Sequence, residues 1–342
     1  MEKRERKRLA ILDVLSANER PLGSSKITDI LTAQGVEISE RTVRLYLHEL
    51  DKLGMTENLG RRGRRITESG MREADDARVF ERAGFLSGKI DTMAYRMDFD
   101  PDRCCGQVVL NLSLLKPADI TTERRRLIGR VFSKGYAMGK MMALFEPGEI
   151  FNGTPIPDDM IGIGTVCSIT LNGVLLKYGV PTVSRFGGLL ELVNGHPTRF
   201  VELINYDGTS IDPLEVFIRS GMADYVGAVT TGNGRIGASF REFPAESIDT
   251  VHAAAARLEE IGLGSLMCLG NPGQALYGIP VGPHRAGAVI IGGLNPMSIF
   301  EETGLRVQSR ALSGLVDFRN LFHYSEFRAR LESLQSQKGR SA

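Results

Sequence analysis

Apolar positions near the start of the chain recur at helical spacing in three successive segments. Such spacing predicts three short helices with one buried face each. The apolar stripe of the third segment consists of Val43, Leu47, Leu50 and Leu53. Ser39 precedes this segment as a favourable N-cap, and Gly54 follows it as a favourable stop.

The polar face of the third segment suits the major groove of DNA. Its members are Ser39, Arg41, Thr42, Arg44, Leu45 and His48. Arginine can bond the acceptor pair of guanine, while threonine or leucine can contact a thymine methyl group. The three segments therefore predict a helix-turn-helix with a recognition helix, and one such module contacts one half-site of duplex DNA.

A compact basic loop follows the recognition segment. A short strand over residues 56–59 and a return strand at residues 66–67 are expected on either side of it. Its glycines allow close approach to the sugar–phosphate chain, and arginines bond phosphate. The alternative is a solvated surface loop, but the position after a helix-turn-helix favours a DNA-contacting wing. The arginines of this wing are Arg61, Arg62, Arg64 and Arg65.

The body of the chain has short β-rich runs that Gly and Pro separate, with helices between them. Shifting the chain against itself by 125 residues yields 10 identities over the 47 residues 144–190, most of them Gly and Pro. Turn residues that recur at one constant offset without a gap indicate an internal duplication. The second half is expected to open with a strand at residues 225–231, and residues 195–224 are expected to bridge the halves.

The predicted fold class is α+β. A winged helix-turn-helix over residues 1–70 precedes a charged connector helix over residues 71–84. An internally duplicated, two-lobed α/β regulatory domain follows over residues 85–342, with lobes at about 95–200 and 215–325. A crevice between two such lobes is a natural place for a small ligand.

One dipeptide recurs at the 125-residue offset in a position that suggests a ligand site. Ser184 and Arg185 match Ser309 and Arg310, and each pair follows a glycine that ends a short helix. Two arginines related by the duplication could bind both carboxylates of a dicarboxylate by paired hydrogen bonds. Alternatively, each arginine bonds backbone carbonyls of its own lobe. All four residues are candidate effector-binding residues.

The charge distribution agrees with a DNA reader joined to a sensor. The 342-residue chain has a formal net charge of only +1, but residues 1–72 contain 15 Lys or Arg and 11 Asp or Glu. The positive charge is therefore local to the head, which excludes a protein that coats nucleic acid along its whole length.

No motif of the body predicts a cofactor, a metal or a catalytic set. Residues 232–237 match G-x-G-x-x-G, but a strand-like alternation follows, whereas dinucleotide binding needs a helix there. Asn233-Gly234 favours a hairpin instead. The acidic run at residues 98–102 lacks the glycine of a calcium loop, and the 4 cysteines form no C-x-x-C pair. Neither a signal peptide nor a membrane span is apparent, so a cytoplasmic protein is expected.

Particular stretches of the chain resemble a known family. Residues 38–44 and 62–70 resemble the winged-helix module named after ribonuclease R. The stretches Phe145-Glu-Pro-Gly-Glu149 and Pro181-Thr-Val-Ser-Arg-Phe-Gly-Gly188 resemble the NrpR regulatory domain. Because the two resemblances together cover nearly all residues, the chain is identified as a member of the NrpR family of archaeal nitrogen regulators.

The resemblance implies a function. Members of the family repress nitrogen-fixation and nitrogen-assimilation genes, bind inverted-repeat operators as oligomers and are released by 2-oxoglutarate, so a homodimer on double-stranded DNA is expected here. Some members carry two regulatory domains and this chain carries one, so a second NrpR-type regulatory protein is a possible partner. Two alternatives stay open: a winged-helix repressor that senses a different metabolite, and an enzyme with a winged-helix accessory domain.

Overall fold

Three helices with one buried face each begin the chain. The computed structural model describes residues 3–18, 20–74 and 85–341. The first helices are α1 (Lys3–Ser16), α2 (Ser24–Ala33) and α3 (Glu40–Lys52). Their apolar faces form one core, to which α3 contributes Val43, Leu47 and Leu50. Leu53, the fourth member of the predicted stripe, is 52% exposed, because it caps the C-terminus of α3 beyond the last turn that faces the core.

A small antiparallel hairpin follows α3 and forms the wing. Strands β1 (Thr56–Asn58) and β2 (Arg64–Ile66) flank a 3-10 turn at Gly60–Arg62. The second strand begins two residues before the predicted position, because Arg64 pairs with both Asn58 and Leu22. Gly63 has a φ of +97°, and a Cβ atom there would lie 2.5 Å from the carbonyl of Leu22, so only glycine fits this turn.

A helix that we label α4 is described over residues 68–74. The rest of the predicted connector, up to residue 84, lies outside the described residues. By its internal contacts, the chain divides into one unit over Met1–Gly84 and a second over Phe85–Ala342.

The second unit contains two five-stranded antiparallel sheets, with the strand orders β11-β12-β10-β8-β9 and β13-β3-β7-β4-β14, and a small two-stranded hairpin, β5-β6. The strands are β3 (Gln107–Leu115), β4 (Met141–Phe145), β5 (Ile150–Phe151), β6 (Thr154–Pro155), β7 (Ile161–Val166), β8 (Val183–Val193), β9 (His196–Asn205), β10 (Gly234–Pro244), β11 (Leu266–Leu269), β12 (Arg285–Ile291), β13 (Gln308–Asp317) and β14 (Phe322–His323). Together with the helices, these sheets confirm the predicted α+β class.

Helices of this unit precede, separate and follow its strands in the chain order. They are α5 (Leu86–Arg96), α6 (Thr122–Ser133), α7 (Ile169–Lys177), α8 (Pro213–Arg219), α9 (Tyr225–Thr230), α10 (Ile248–Glu260), α11 (Ser298–Glu302) and α12 (Phe327–Ser341). Among the described residues, no helix is both long enough and apolar enough to cross a membrane.

The element order repeats, which confirms the duplication. With β5, β6 and α9 left out, the series α5, β3, α6, β4, β7, α7, β8 recurs as α8, β10, α10, β11, β12, α11, β13. However, the closing strand of each half pairs with the opening strand of the other half: β8 pairs with β10, and β13 pairs with β3. The prediction of two lobes at about 95–200 and 215–325 is therefore wrong in one respect, because each sheet contains strands from both halves.

The hydrophobic core follows the same exchange. One cluster joins α6 of the first half to α8 and α11 of the second half. The other cluster joins α10 of the second half to α5 and α7 of the first. Each half thus buries its helices against elements of the other.

Three local predictions are wrong. Residues 225–231, expected to be a strand, form α9, because the Asp224 carboxylate accepts a hydrogen bond from the Gly227 amide at 2.8 Å and caps a helix there. The bridging segment 195–224 contains all of β9 and all of α8 rather than a plain linker. The G-x-G-x-x-G stretch enters strand β10, as its alternation predicts, but a helix precedes it, so Asn233-Gly234 does not join two strands.

Candidate DNA interface and effector site

The exposed face of α3 begins at a capped helix N-terminus. The Ser39 hydroxyl accepts a hydrogen bond from the Thr42 amide at 3.3 Å and lies 2.8 Å from the Thr42 hydroxyl, so Ser39 is the predicted N-cap. Arg41, Leu45 and His48 are exposed along the same face. Within the part of the chain that the structure describes, Arg41 makes no ion pair or side-chain hydrogen bond, so its guanidinium is available to a base edge.

Arg44 is held within the head. Its Nη2 donates to a carboxylate oxygen of Glu40 at 2.6 Å, and its Nε donates to the Ser24 hydroxyl at 3.2 Å. The Ser24 hydroxyl donates in turn to the same oxygen of Glu40 at 2.9 Å, and the bonds to Glu40, first from Arg44 and then from Ser24, hold the pKa of Glu40 below its usual value. Arg44 therefore ties the start of α2 to α3, and contact with DNA would compete with this cluster.

The four wing arginines divide into two groups: two bond carboxylates, and two are exposed at the tip. Arg64 donates from Nε to Asp51 at 3.0 Å, and both side chains are only 19% exposed. Arg65 pairs with Glu57 at 3.0 Å on the surface. Arg61 and Arg62 are exposed at the tip of the wing, and no ion pair within the described residues holds them. The tip therefore presents two uncommitted guanidinium groups, while Arg64 fastens the wing to the recognition helix.

The strand register places the predicted effector-binding serines at equivalent positions. Ser184 pairs with Arg241 on β10, and Ser309 pairs with Ser113 on β3. The hydroxyls of Ser309 and Ser113 lie 2.7 Å apart. The duplication thus keeps the two serines in register but surrounds them with different side chains.

The predicted effector-binding arginines lie near different acids. Arg185 forms an ion pair with Glu242, whose other carboxylate oxygen lies 3.8 Å from Nε of Arg285. Arg310 is exposed. Burial raises the pKa of Glu215, and the charges of Arg219 and Arg310 oppose that shift, which places Arg310 near Glu215. No hydrogen bond or ion pair among the described residues brings Arg185 and Arg310 to one common partner.

A buried arginine that sequence reasoning missed lies next to Ser184. Asn172 donates from Nδ2 to the Ser184 hydroxyl at 2.9 Å, and its Oδ1 accepts from Nε of Arg241 at 3.1 Å. Arg241 is 1% exposed, and its guanidinium carbon lies 5.4 Å from the centre of the Tyr206 ring. The available signal was a single arginine inside the alternating apolar run Ala238–Phe243.

A small cavity, lined mostly by apolar residues, is bounded by Tyr206, whose ring faces this arginine. Its volume is about 10 Å³, which is room for about one water. Tyr206, Asp212, Asn111 and Ser168 contribute to its walls. Desolvation raises the pKa of Asp212 to about 6, although its carboxylate accepts a hydrogen bond from the Leu214 amide at the start of α8.

A larger cleft of about 660 Å³ opens between α6, α8, α9 and α11. Three of its four acids are engaged with backbone groups: Glu302 accepts from the Tyr225 and Val226 amides, and Glu301 accepts from the Val307 amide. Asp224 caps α9. These carboxylates hold the helices around the cleft in place.

Comparisons with known proteins match both units. Residues 83–323 match a family model described as NrpR regulatory domains NRD1 and 2, and residues 9–74 match one described as the ribonuclease R winged-helix domain. A crystal structure of a nitrogen repressor-like protein from Methanococcus jannaschii is similar, with a TM-score of 0.60 and 26% identity; the match covers 70% of this chain and 99% of that one.

Several named relatives are similar over most of this chain. The global nitrogen regulator NrpRI of Methanosarcina mazei is 34% identical, and the match covers 93% of this chain and 97% of the relative. The global nitrogen regulators NrpR of Methanococcus maripaludis and Methanocaldococcus jannaschii are both 30% identical over more than nine-tenths of this chain. Here the chain spans only 54% and 55% of the relatives. The matched relatives are regulators, so the enzyme alternative is set aside.

Proposed function

Because the chain belongs to the NrpR family of nitrogen regulators, we propose that it represses nitrogen-fixation and nitrogen-assimilation genes. It binds an inverted-repeat operator and leaves it when 2-oxoglutarate accumulates. One observation carries this proposal: the same chain contains a winged helix and a regulatory unit of this family. The α3 face and the wing tip of the winged helix present arginines that form no ion pair among the described residues. Arg41 suits base readout, and Arg61 and Arg62 suit phosphate contact.

The operator complex is expected to contain a homodimer. One winged helix contacts one half-site, so an inverted repeat needs two heads related by a twofold axis. A second NrpR-type regulatory protein is a further proposed partner; the chain spans about half the length of two of its relatives.

The proposed effector-binding residues are Ser184, Arg185, Ser309 and Arg310. The ligand 2-oxoglutarate has two carboxylates, and guanidinium groups bind carboxylates through paired hydrogen bonds. At Arg185 the ligand would have to replace Glu242. It can release DNA only if it binds better to the arrangement of the protein that does not fit the operator.

A DNA-binding titration tests the proposal. Fluorescence anisotropy would follow the full-length protein on a labelled inverted repeat from upstream of a nitrogen-assimilation gene, with a scrambled duplex as the control. We expect tighter binding to the repeat and release on addition of 2-oxoglutarate. The variants Arg185→Ala and Arg310→Ala should bind the repeat normally but resist release.

The outcomes distinguish this proposal from the remaining alternative, a winged-helix repressor that senses a different metabolite. Equal release of the wild type and both variants would remove these arginines from the effector site. Specific binding without any release by 2-oxoglutarate would favour a repressor that senses a different metabolite or needs a partner protein. Equal affinity for the repeat and the scrambled duplex would contradict operator recognition.

A further inference from the structure

Strand β9 lies at the open edge of its sheet. The strand order β11-β12-β10-β8-β9 places it last, and its 10 residues, His196–Asn205, pair only with β8. In the described ranges, no side chain forms a hydrogen bond with the β9 backbone, and no other strand pairs with it. The backbone groups on its outer side are therefore available to a further strand.

The corresponding edge of the other sheet is closed. Strand β13 is the counterpart of β8 in the duplication, and among the described strands none lies in the place of β9 beside it. Side chains bond its backbone instead. From α8, Arg219 donates to a β13 carbonyl at 3.0 Å, and Glu215 accepts from a β13 amide at 2.6 Å. Asn152 donates to the Leu315 carbonyl at 3.1 Å. The fold thus protects one edge and leaves the other open.

A bulge in β9 brings two opposite charges to the same face. Residues three apart in a regular strand face opposite sides. However, Arg199 and Glu202 pair with Glu191 and Leu189 of β8, which are two residues apart, because Val201 is an extra residue between them. Both charged side chains are exposed. Arg199 bonds Glu191 at 3.2 Å on the surface, whereas Glu202 forms no ion pair within the described residues.

These charges are self-complementary in an antiparallel pair of β9 strands. A twofold axis between Phe200 and Val201 would place Arg199 of each copy opposite Glu202 of the partner subunit, so the contact would occur twice. Directly opposite residues of an antiparallel pair share one face, with Cβ atoms about 4.5–5.5 Å apart. Phe200 and Val201 are half-buried against the core and would meet at the axis. A parallel, in-register pair would place like charges next to each other.

We propose that the regulatory unit dimerises through β9, which pairs antiparallel with β9 of a second copy of this chain. The pairing joins two five-stranded sheets into one continuous sheet. This inference rests on the proposed function, because an inverted repeat requires two heads related by a twofold axis. Two identical antiparallel strands have such an axis. Backbone hydrogen bonds supply the affinity, and the pairs of Arg199 with Glu202 set the register.

Charge reversal in the full-length protein tests this interface without DNA. Sedimentation velocity over a range of concentrations would measure the monomer–dimer equilibrium of the wild type, Glu202→Arg and Arg199→Glu. Each variant places like charges opposite each other at both contacts, so the dimer affinity should fall at least about tenfold. Glu146→Arg makes the same charge change on an exposed residue outside β9 and should dimerise like the wild type.

An equimolar mixture of the two β9 variants is the sharpest measurement. In a mixed pair, one chain contributes two basic side chains at these positions and the other contributes two acidic ones, so both contacts are attractive again. The mixture should therefore dimerise at concentrations where neither variant does so alone. A substitution that only disturbed its own chain would not be rescued in this way.

Hydrogen exchange provides a second readout. Amides of residues 196–205 should exchange more slowly in the wild type than in Glu202→Arg, whereas those of β13 should exchange equally in both. Circular dichroism checks that the variants fold. If they do not, the same comparison is made on the wild type above and below its dimer dissociation constant.

Three results would overturn the inference: a monomeric wild type, reversed variants that dimerise as tightly as the wild type, or a mixture that dimerises no better than its components. The proposed function fails separately. If the protein dimerises through β9 but does not prefer the inverted repeat, the interface stands and the function is wrong. If Glu202→Arg dimerises normally and 2-oxoglutarate releases the wild type from the repeat, the function stands and the interface is wrong.

Discussion

At the scale of single residues, the arginines of the head divide by their partners. Arg41, Arg61 and Arg62 are exposed without ion pairs in the described part of the chain, whereas Arg44 and Arg64 hold neighbouring elements together. An arginine that already bonds a carboxylate must give up that bond to reach DNA. The two groups should therefore respond differently to substitution.

Arg41→Ala is expected to weaken operator binding by about 1–3 kcal/mol and to relax the preference for one base pair in each half-site. Arg61→Ala, at the wing tip, is its control. This variant should weaken binding to every duplex and reduce the slope of log K against log salt concentration by about one unit. Anisotropy titrations at several salt concentrations on operator and scrambled DNA measure both. A sequence-independent loss in Arg41→Ala would contradict its assignment to base readout.

Arg64→Ala should lower the stability of the head. Its pair with Asp51 is mostly shielded from water, and Asp51 also accepts a hydrogen bond from the Thr56 hydroxyl at 2.6 Å. Loss of one partner leaves the other poorly satisfied, which costs about 1–3 kcal/mol. Urea unfolding with Arg62→Ala as the exposed control measures the difference. Equal stability of the two variants would show that the pair does not fasten the wing.

The polar face of α3 was predictable because helical periodicity separates it from the apolar stripe. The partners of its arginines were not, because Ser24 and Asp51 lie 20 and 13 residues away from Arg44 and Arg64. Arg241 was missed for a similar reason. The alternation of β10 places Arg241 on the same face as the polar Ser239, so only the tertiary contacts reveal that it is buried and that its Nη2 has no partner.

At the scale of elements, the starts of two short helices show how caps override local propensity. Residues 225–230 contain valine and threonine, which favour a strand. Asp224 and Glu302 accept hydrogen bonds from the first amides of α9 and impose a helix instead. Glu302 is distant in sequence, so the strand was the natural prediction. At the start of α8, Asp212 caps the helix in a buried setting.

The raised pKa of Asp212 should appear in the pH dependence of stability. Its pKa rises from 3.8 to about 6 on folding, so the folded protein binds more protons than the unfolded chain between these values. The contribution is fully present below the unfolded pKa and is lost as the pH rises through about 6. It amounts to roughly 2–3 kcal/mol.

Urea unfolding between about pH 4 and pH 7.5 checks this expectation. Asp212→Asn keeps a good capping residue but cannot titrate, so its stability should fall less over this range than that of the wild type. The exposed Asp207→Asn should follow the wild type. The same pH slope in all three proteins would show that Asp212 titrates near its ordinary value.

At the scale of the whole regulatory unit, the exchange of strands makes the two halves depend on each other. Without the second half, β3 lacks β13 and β8 lacks β10. Without the first half, β10 lacks β8 and β13 lacks β3. The 125-residue repeat predicted the duplication, because turns keep their glycines and prolines. It could not predict the exchange, because strand pairing leaves no mark on the spacing.

Neither residues 85–205 nor residues 206–342 should fold alone. Each fragment exposes a long unpaired strand edge and half of both core clusters. The two fragments expressed together should associate and recover one cooperative unfolding transition. Circular dichroism and co-purification measure this. A native-like melting transition in either isolated fragment would contradict the mutual dependence.

The crossed pairing also suggests how such a unit could arise. A single ancestral repeat would have been unable to close its own sheet, but two identical copies could trade their last strands and form a symmetric pair. Fusion of two such copies into one chain would hold them at a fixed ratio and free each from resembling the other. The loss of symmetry is visible where one copy has Ser113 and the other has Arg241. Two identical chains would carry the same charge twice. In this chain the buried charge occurs once, in the second half of the duplication.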